Sequence, residues 1–168
     1  MRYYQGGKGA GMITRRGARS IGLIPGLLLT ALLSWGQGGL GAGEQEVSRF
    51  GNPVLQVSIG GATVLAEAVR TPAKLYLGLS HRSHLEEDRG MLFFMPETAV
   101  QRFCMREMRF PLDFIWIVQG RVAGITRKVP PEFAGDLISP EPVNLVLEVP
   151  AGFAHRHSLK KGDRVRWE

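Results

Sequence analysis

Polar and apolar positions alternate in short blocks along this chain, and two blocks are apolar throughout: residues 91–95, MLFFM, and 114–118, FIWIV. Runs of about five residues, rich in aromatic and β-branched types, predict strands buried on both faces. Elsewhere the period is two. Leu55, Val57 and Ile59 alternate with Gln56 and Ser58, which predicts a strand over 54–59 with one apolar face. Gly60-Gly61 is a two-residue hairpin signal, so 62–69 is its partner strand. Further strands are expected at 101–105, 121–129, 144–149 and 164–167, with Gly or Pro turns between them.

Helical signals are few. Thr71-Pro72 offers an N-cap followed by a proline at the first helical position. It predicts a short helix over 73–80, with Leu75, Tyr76 and Leu79 on one face. One or two helical turns are expected at 150–157. The segment 130–142 carries four prolines and reads as an ordered loop. Many short strands punctuated by Gly and Pro predict a mainly β fold: a compact β-sandwich or small barrel with one or two short helices.

The first 43 residues follow another pattern. Arg2, Lys8, Arg15, Arg16 and Arg19 precede an uncharged apolar run, 21–35, and then a glycine-rich stretch, 36–43. A basic region, an apolar region and small residues at a cleavage point make a secretory signal peptide. The apolar run falls short of the roughly 18–20 residues that span a bilayer comfortably. Its alternative role is an uncleaved membrane anchor. Residues 44–53 are polar and read as a flexible arm, and 54–168 as one domain. The protein is expected to be exported, periplasmic or extracellular, touching membrane only through 21–35 if that segment is retained.

The leader changes the electrostatic picture. The chain carries 21 basic and 15 acidic residues, a net +6. Five basic residues lie before residue 20 and no acid precedes Glu44, leaving 16 basic against 15 acidic and a net +1 for the remainder. That balance argues against a nucleic-acid partner, which wants a basic face on the folded domain. Cys104 is the single cysteine, so no internal disulfide is possible. A chain of this length buries a core without one.

The motifs resemble one family over about residues 54–167, the domain of unknown function 192 family. The resemblance rests on Thr71, Gly78-Leu79, Arg82, Gly90-Met91-Leu92-Phe93, Phe103 to Met108, Pro111-Leu112-Asp113, Glu148, Ala151-Gly152, Gly162-Asp163 and Val165. It implies a compact, mainly β, often exported domain with no established reaction or ligand. The chain departs from the family pattern where Cys104 stands for Trp, Arg106 for Lys, Glu107 for Asn and Met108 for Thr.

The candidate binding residues are Arg82, Arg106, Asp113 and Glu148. Asp113 follows Pro-Leu at the mouth of an apolar strand. It is suited to act as a base or to hold a cation, and equally to cap backbone N–H groups or pair with Arg82, Arg89 or Arg106. The structural role is the favoured one. Arg106 suits an anionic ligand; on a strand, Arg106 and Glu107 would point to opposite faces.

Met91, Met95, Cys104, Met105 and Met108 suggest a soft-metal site for Cu(I), although methionine also fills cores. Cys104, between Phe103 and Met105, is expected to be a packing residue. His81, His84, His155 and His157 lack metalloenzyme spacing. No cofactor is implied and no complete catalytic constellation is visible. The first functional expectation is a non-catalytic module binding a small ligand or a protein. The alternatives are a hydrolase-like enzyme using Asp113 with His84 or Glu148, and a soft-metal carrier. Because the leader lacks any pattern that joins the β core, deleting residues 1–43 should leave the melting temperature unchanged; a large loss of stability on truncation would contradict that.

Overall fold

The computed structural model describes residues 45–168; the leader and its cleavage lie outside them. The strands β1 (Val54–Ile59) and β2 (Ala62–Val69) form the expected hairpin. Gly60 and Gly61 make its turn with φ of 54° and 85°, the left-handed values that such a two-residue turn requires. Helix α1 (Pro72–Leu77) follows, and the Thr71 hydroxyl accepts from the Lys74 N–H at 3.4 Å. It ends earlier than the sequence predicts because Gly78 takes a positive φ. Leu75 and Leu79 are buried, whereas Tyr76 turns outward at 46% exposure. One residue on from Leu75 is already about 100° around the helix.

The remaining elements are β3 (Arg89–Ala99), β4 (Arg102–Phe103), β5 (Leu112–Val118), β6 (Arg121–Val129), β7 (Leu137–Ile138), β8 (Val143–Pro150), α2 (Phe153–Arg156) and β9 (Val165–Trp167). Seven strands make one sheet in the order β6-β5-β8-β3-β2-β1-β9, and β4 pairs with β7 alone. Only β2 and β3 run parallel. Their connection carries α1, as a parallel crossover demands. A bridge between Arg121 and Arg164 brings the two edges of the sheet together at one end, so the sheet curls into a half-barrel. The fold is mainly β with two short helices, as the sequence predicts.

Strands β3, β8 and β5 lie side by side and are apolar on both faces. One face carries Leu92, Ile115, Leu147 and Val149, joined by Val165 and Val122 from the two edges and closed by Phe153, Ala154 and Leu159. The other carries Met91, Phe93, Phe114, Trp116 and Val146, covered by Leu75 and Leu79 and by Phe103, Met105 and Met108. Phe103 stands edge-on to Phe93, Trp116 and Phe114 at 5.4, 5.7 and 6.1 Å. It pins the segment after β4 onto this second face. Each such side chain contributes on the order of 2 kcal/mol by leaving water.

Two local expectations are corrected. The strand predicted over 101–105 stops at Phe103, and the chain continues as a turn in which Glu107 has φ 63°. Arg106 and Glu107 therefore do not alternate across a sheet. The arm at 45–53 is not loose. Val47 bridges to Pro53, and Ser48 Oγ and Asn52 Nδ2 donate to Glu67 at 3.0 and 2.6 Å. A half-buried carboxylate has found donors in that arm.

Asp113 is fully buried on the α2 side of the sheet. Its Oδ1 accepts from the Lys128 N–H at 2.7 Å, and its Oδ2 from Gly152 and Ala154 N–H at 3.0 and 2.9 Å. The partners are backbone groups of β6 and of the turn into α2; none of the three arginines named above hydrogen-bonds to it. One carboxylate thus ties two elements to β5. Asp113→Asn replaces an accepting oxygen with an amide that faces a backbone donor. It should cost about 3 kcal/mol, read as a lower denaturation midpoint with an unchanged slope. A loss below about 1 kcal/mol would show that the clamp is dispensable.

Candidate functional site

Strand register sets the site. Glu67 of β2 stands opposite Met91 of β3, Met91 opposite Glu148 of β8, and Glu148 opposite Phe114 of β5. These four residues form one row across four strands, on the face covered by α1. Two strand spacings separate the carboxyl-bearing positions, about 10 Å between backbones. Asp113, one residue before Phe114, points to the opposite face. The structure therefore brings Arg82 and Glu148 together and separates both from Asp113. His84 is exposed and contacts Ser83 at 3.0 Å and Glu86 at 3.4 Å. The pairing of Asp113 with His84 or Glu148 expected for a hydrolase is not formed.

Glu67 and Arg82 make a two-pronged ion pair, with Nη1–Oε1 at 2.5 Å and Nη2–Oε2 at 3.0 Å. Their side chains are only 13% and 8% exposed. The guanidinium lies 3.7 Å from the centre of the Phe50 ring. Clefts of about 270 and 450 Å³ are both lined by Arg49, Phe50 and Arg82, which makes the Arg82–Phe50 stack their shared wall. Burial by itself would raise the pKa of Glu67. Hydrogen bonds from Arg82 and Asn52, the charge of Arg82 and the bond from Ser48 outweigh it and hold the carboxyl below its ordinary 4.5.

Glu148 is in the opposite situation. It is 0% exposed, and neither carboxyl oxygen has a hydrogen-bond partner among the described residues. Burial pushes its pKa well above 4.5; among the described residues, the charge of Arg82 offsets part of this and the Cys104 thiol adds to it. The segments bearing Arg82 and Cys104 meet nearby. The Ser80 hydroxyl donates to the Arg106 carbonyl at 3.4 Å, the His81 N–H donates to the Glu107 carbonyl at 3.1 Å, and the His81 ring lies 3.3 Å from the Glu107 carboxylate. Arg106 is an exposed residue of this turn.

Cys104 is half-buried and free rather than fully packed. Met91, Met95, Met105 and Met108 all enter the apolar cluster on this face. Among the described residues, no three His, Cys, Asp or Glu side chains converge as metal ligands would. Gly90 fits where it does because an added Cβ would lie 2.8 Å from the Glu148 carbonyl oxygen and 2.9 Å from Val64 Cγ1. Glu67 is the site residue that sequence reasoning missed. Its signal was available: a charge at the same parity as buried Val69 on a strand whose other face is apolar.

The fold and this row define a small mainly β half-barrel with two glutamates on one face, a half-buried one that is paired and a fully buried one that is not. The chain belongs to the DUF192 family, described as an uncharacterized ACR, which matches residues 55–167. It is similar to a crystallised protein of unknown function from Novosphingobium aromaticivorans, at 30% identity and a TM-score of 0.71, covering 75% of this chain and 94% of that one. It is also similar to a putative transcription regulator from Sinorhizobium meliloti, at 30% identity and a TM-score of 0.66, covering 73% and 97%. No curated protein matches the chain.

The two glutamates should act oppositely on stability. Glu67, with a lowered pKa, contributes stability that is present above its unfolded value and is lost as pH falls through its folded value. Glu148, with a raised pKa, must stay protonated to remain buried, so stability declines as pH rises from about 4.5 towards its folded value. Glu148→Gln keeps the neutral shape and removes that decline. Urea unfolding across this range should show the variant gaining on the parent as pH rises; parallel curves would contradict the assignment. Glu67→Gln should cost about 3 kcal/mol near neutrality by stranding Arg82, with the deficit shrinking in acid.

Proposed function

We propose that the protein is an exported, non-catalytic module that binds a small ligand at the Arg82–Glu148 end of the α1-covered face. The observation that carries this reading is the pair of unpartnered Glu148 oxygens at zero exposure. Leaving such a group unmatched costs about 1–3 kcal/mol or more. A fold that retains it has a use for it, and a ligand that satisfies it is the simplest one. Arg82 is fixed in place by Glu67, and two clefts border the Arg82–Phe50 stack. Export rests on the basic and apolar leader.

Catalysis gains no comparable support, since Asp113 is engaged by three backbone donors and faces away from Glu148. A soft-metal role would draw the same four methionines out of the apolar cluster they help to fill. The name of the Sinorhizobium meliloti protein does not favour nucleic-acid binding here. A net charge of +1 beyond residue 43 lacks the basic excess that phosphate contacts require.

Thermal shift on the full-length chain tests the proposal, using small amines, carboxylates, phosphates, neutral sugars and Cu(I). At least one class should raise the melting temperature of the parent, since a ligand that binds the folded state stabilises it. The rise should vanish in a folded Glu148→Gln variant. No response to any class, or a response that survives the substitution, would overturn the reading.

A further inference from the structure

We infer that the occupant of this site is a single cationic N–H group, an alkylammonium or a guanidinium, which replaces the proton of Glu148 with its own charge. The inference rests on the binding reading above and adds the chemistry of the ligand. It starts from the charges in the row. Glu67 and Arg82 cancel each other in a two-pronged pair. That leaves Glu148 as the buried acidic group on this face with no hydrogen-bond partner among the described residues. An anion would have to draw Arg82 away from Glu67 and would meet two carboxyl groups. A cation meets a carboxyl with no hydrogen-bond partner among the described residues and leaves the Glu67–Arg82 pair intact.

The neighbours of Glu148 suit the same guest. Phe114 stands next to it in register, and an aromatic face attracts a cation. Met91 stands on its other side, with a sulfur that accepts weakly and donates nothing. Two oxygens with no donors of their own match the parallel N–H groups of a guanidinium or two hydrogens of an ammonium. Among the described residues, no three His, Cys, Asp or Glu side chains gather here for a bare metal ion.

Among the described residues, the groups that titrate or carry charge around Glu148 are Glu67 from β2, Arg82 from the α1–β3 connection and Cys104 from the β4–β5 connection. Met91 of β3 and Phe114 of β5 do not titrate. The proton balance is simple. The guest arrives protonated, Glu148 releases its proton to solvent, and a carboxylate–cation pair remains; no covalent bond changes. Binding therefore releases about one proton and tightens about tenfold per pH unit while free Glu148 is protonated.

The test is isothermal calorimetry on the full-length protein with n-butylamine, n-propylguanidine and butyrate. Each is run in two buffers of different ionisation enthalpy and at several pH values below neutrality. The inference expects the amine or the guanidine to bind, to release about one proton and to tighten as pH rises, with butyrate silent. Glu148→Gln, checked for folding by circular dichroism, should weaken binding at least about tenfold and abolish proton release. Butyrate binding that depends on Glu148 would keep the binding reading and overturn the cationic one. Cation binding without proton release, or unchanged in the variant, would overturn this inference. Silence from every class in the thermal panel and from these three would overturn both.

Discussion

Three adjacent strands, β3, β8 and β5, are buried on both faces, and the rest of the domain is arranged as cover for one face or the other. This constraint explains the topology. A strand such as Met91 to Met95 offers no side to water, so its neighbours must lie within a sheet and both surfaces must be roofed. The α2 turn and the approach of the two sheet edges close one side. Helix α1, the short β4–β7 pair and the turn after Phe103 close the other. A polar side chain on these strands has no solvent to fall back on.

Two carboxyl groups occupy such positions, and the fold treats them differently. Asp113 gathers three backbone donors and becomes a joint between β5, β6 and α2. Glu148, on the neighbouring strand and the opposite face, gathers none among the described residues. Glu67, two strands away in the same row, is saturated by Arg82, Asn52 and Ser48. The scaffold thus supplies donors to buried acids at two places within one strand spacing or two of a third that goes without. That contrast separates a structural carboxyl from a functional candidate better than burial alone, since Asp113 and Glu148 are both fully removed from water.

Much of the fold was legible in the sequence because its signals are local. The Gly60-Gly61 hairpin, the Thr71 cap and the alternation in β1 depend on neighbours in the chain. The limits of β4 were not legible. Residues 101–105 have strand composition, but Phe103 is claimed by three aromatic rings from other strands. The chain beyond it turns to cover the sheet instead of pairing. The arm at 45–53 looked idle because its partner, Glu67, is distant in sequence. Of the candidate residues, Arg82 and Glu148 lie towards one face of the sheet, and their neighbour Glu67 was not named from the sequence. Asp113 was set beside them only because its position next to a motif hid the strand parity that puts it on the other face.

The most direct test of this account follows the side-chain carboxyl carbons of Glu148 and Glu67 by NMR as pH is raised from acid through neutrality. The account predicts that Glu67 titrates below 4.5 and Glu148 well above it, as expected for one carboxyl with donors and one without. If Glu148 titrates with Glu67, or below 4.5, then it has partners in solution, and the claim that this face holds an unpartnered buried acid is wrong.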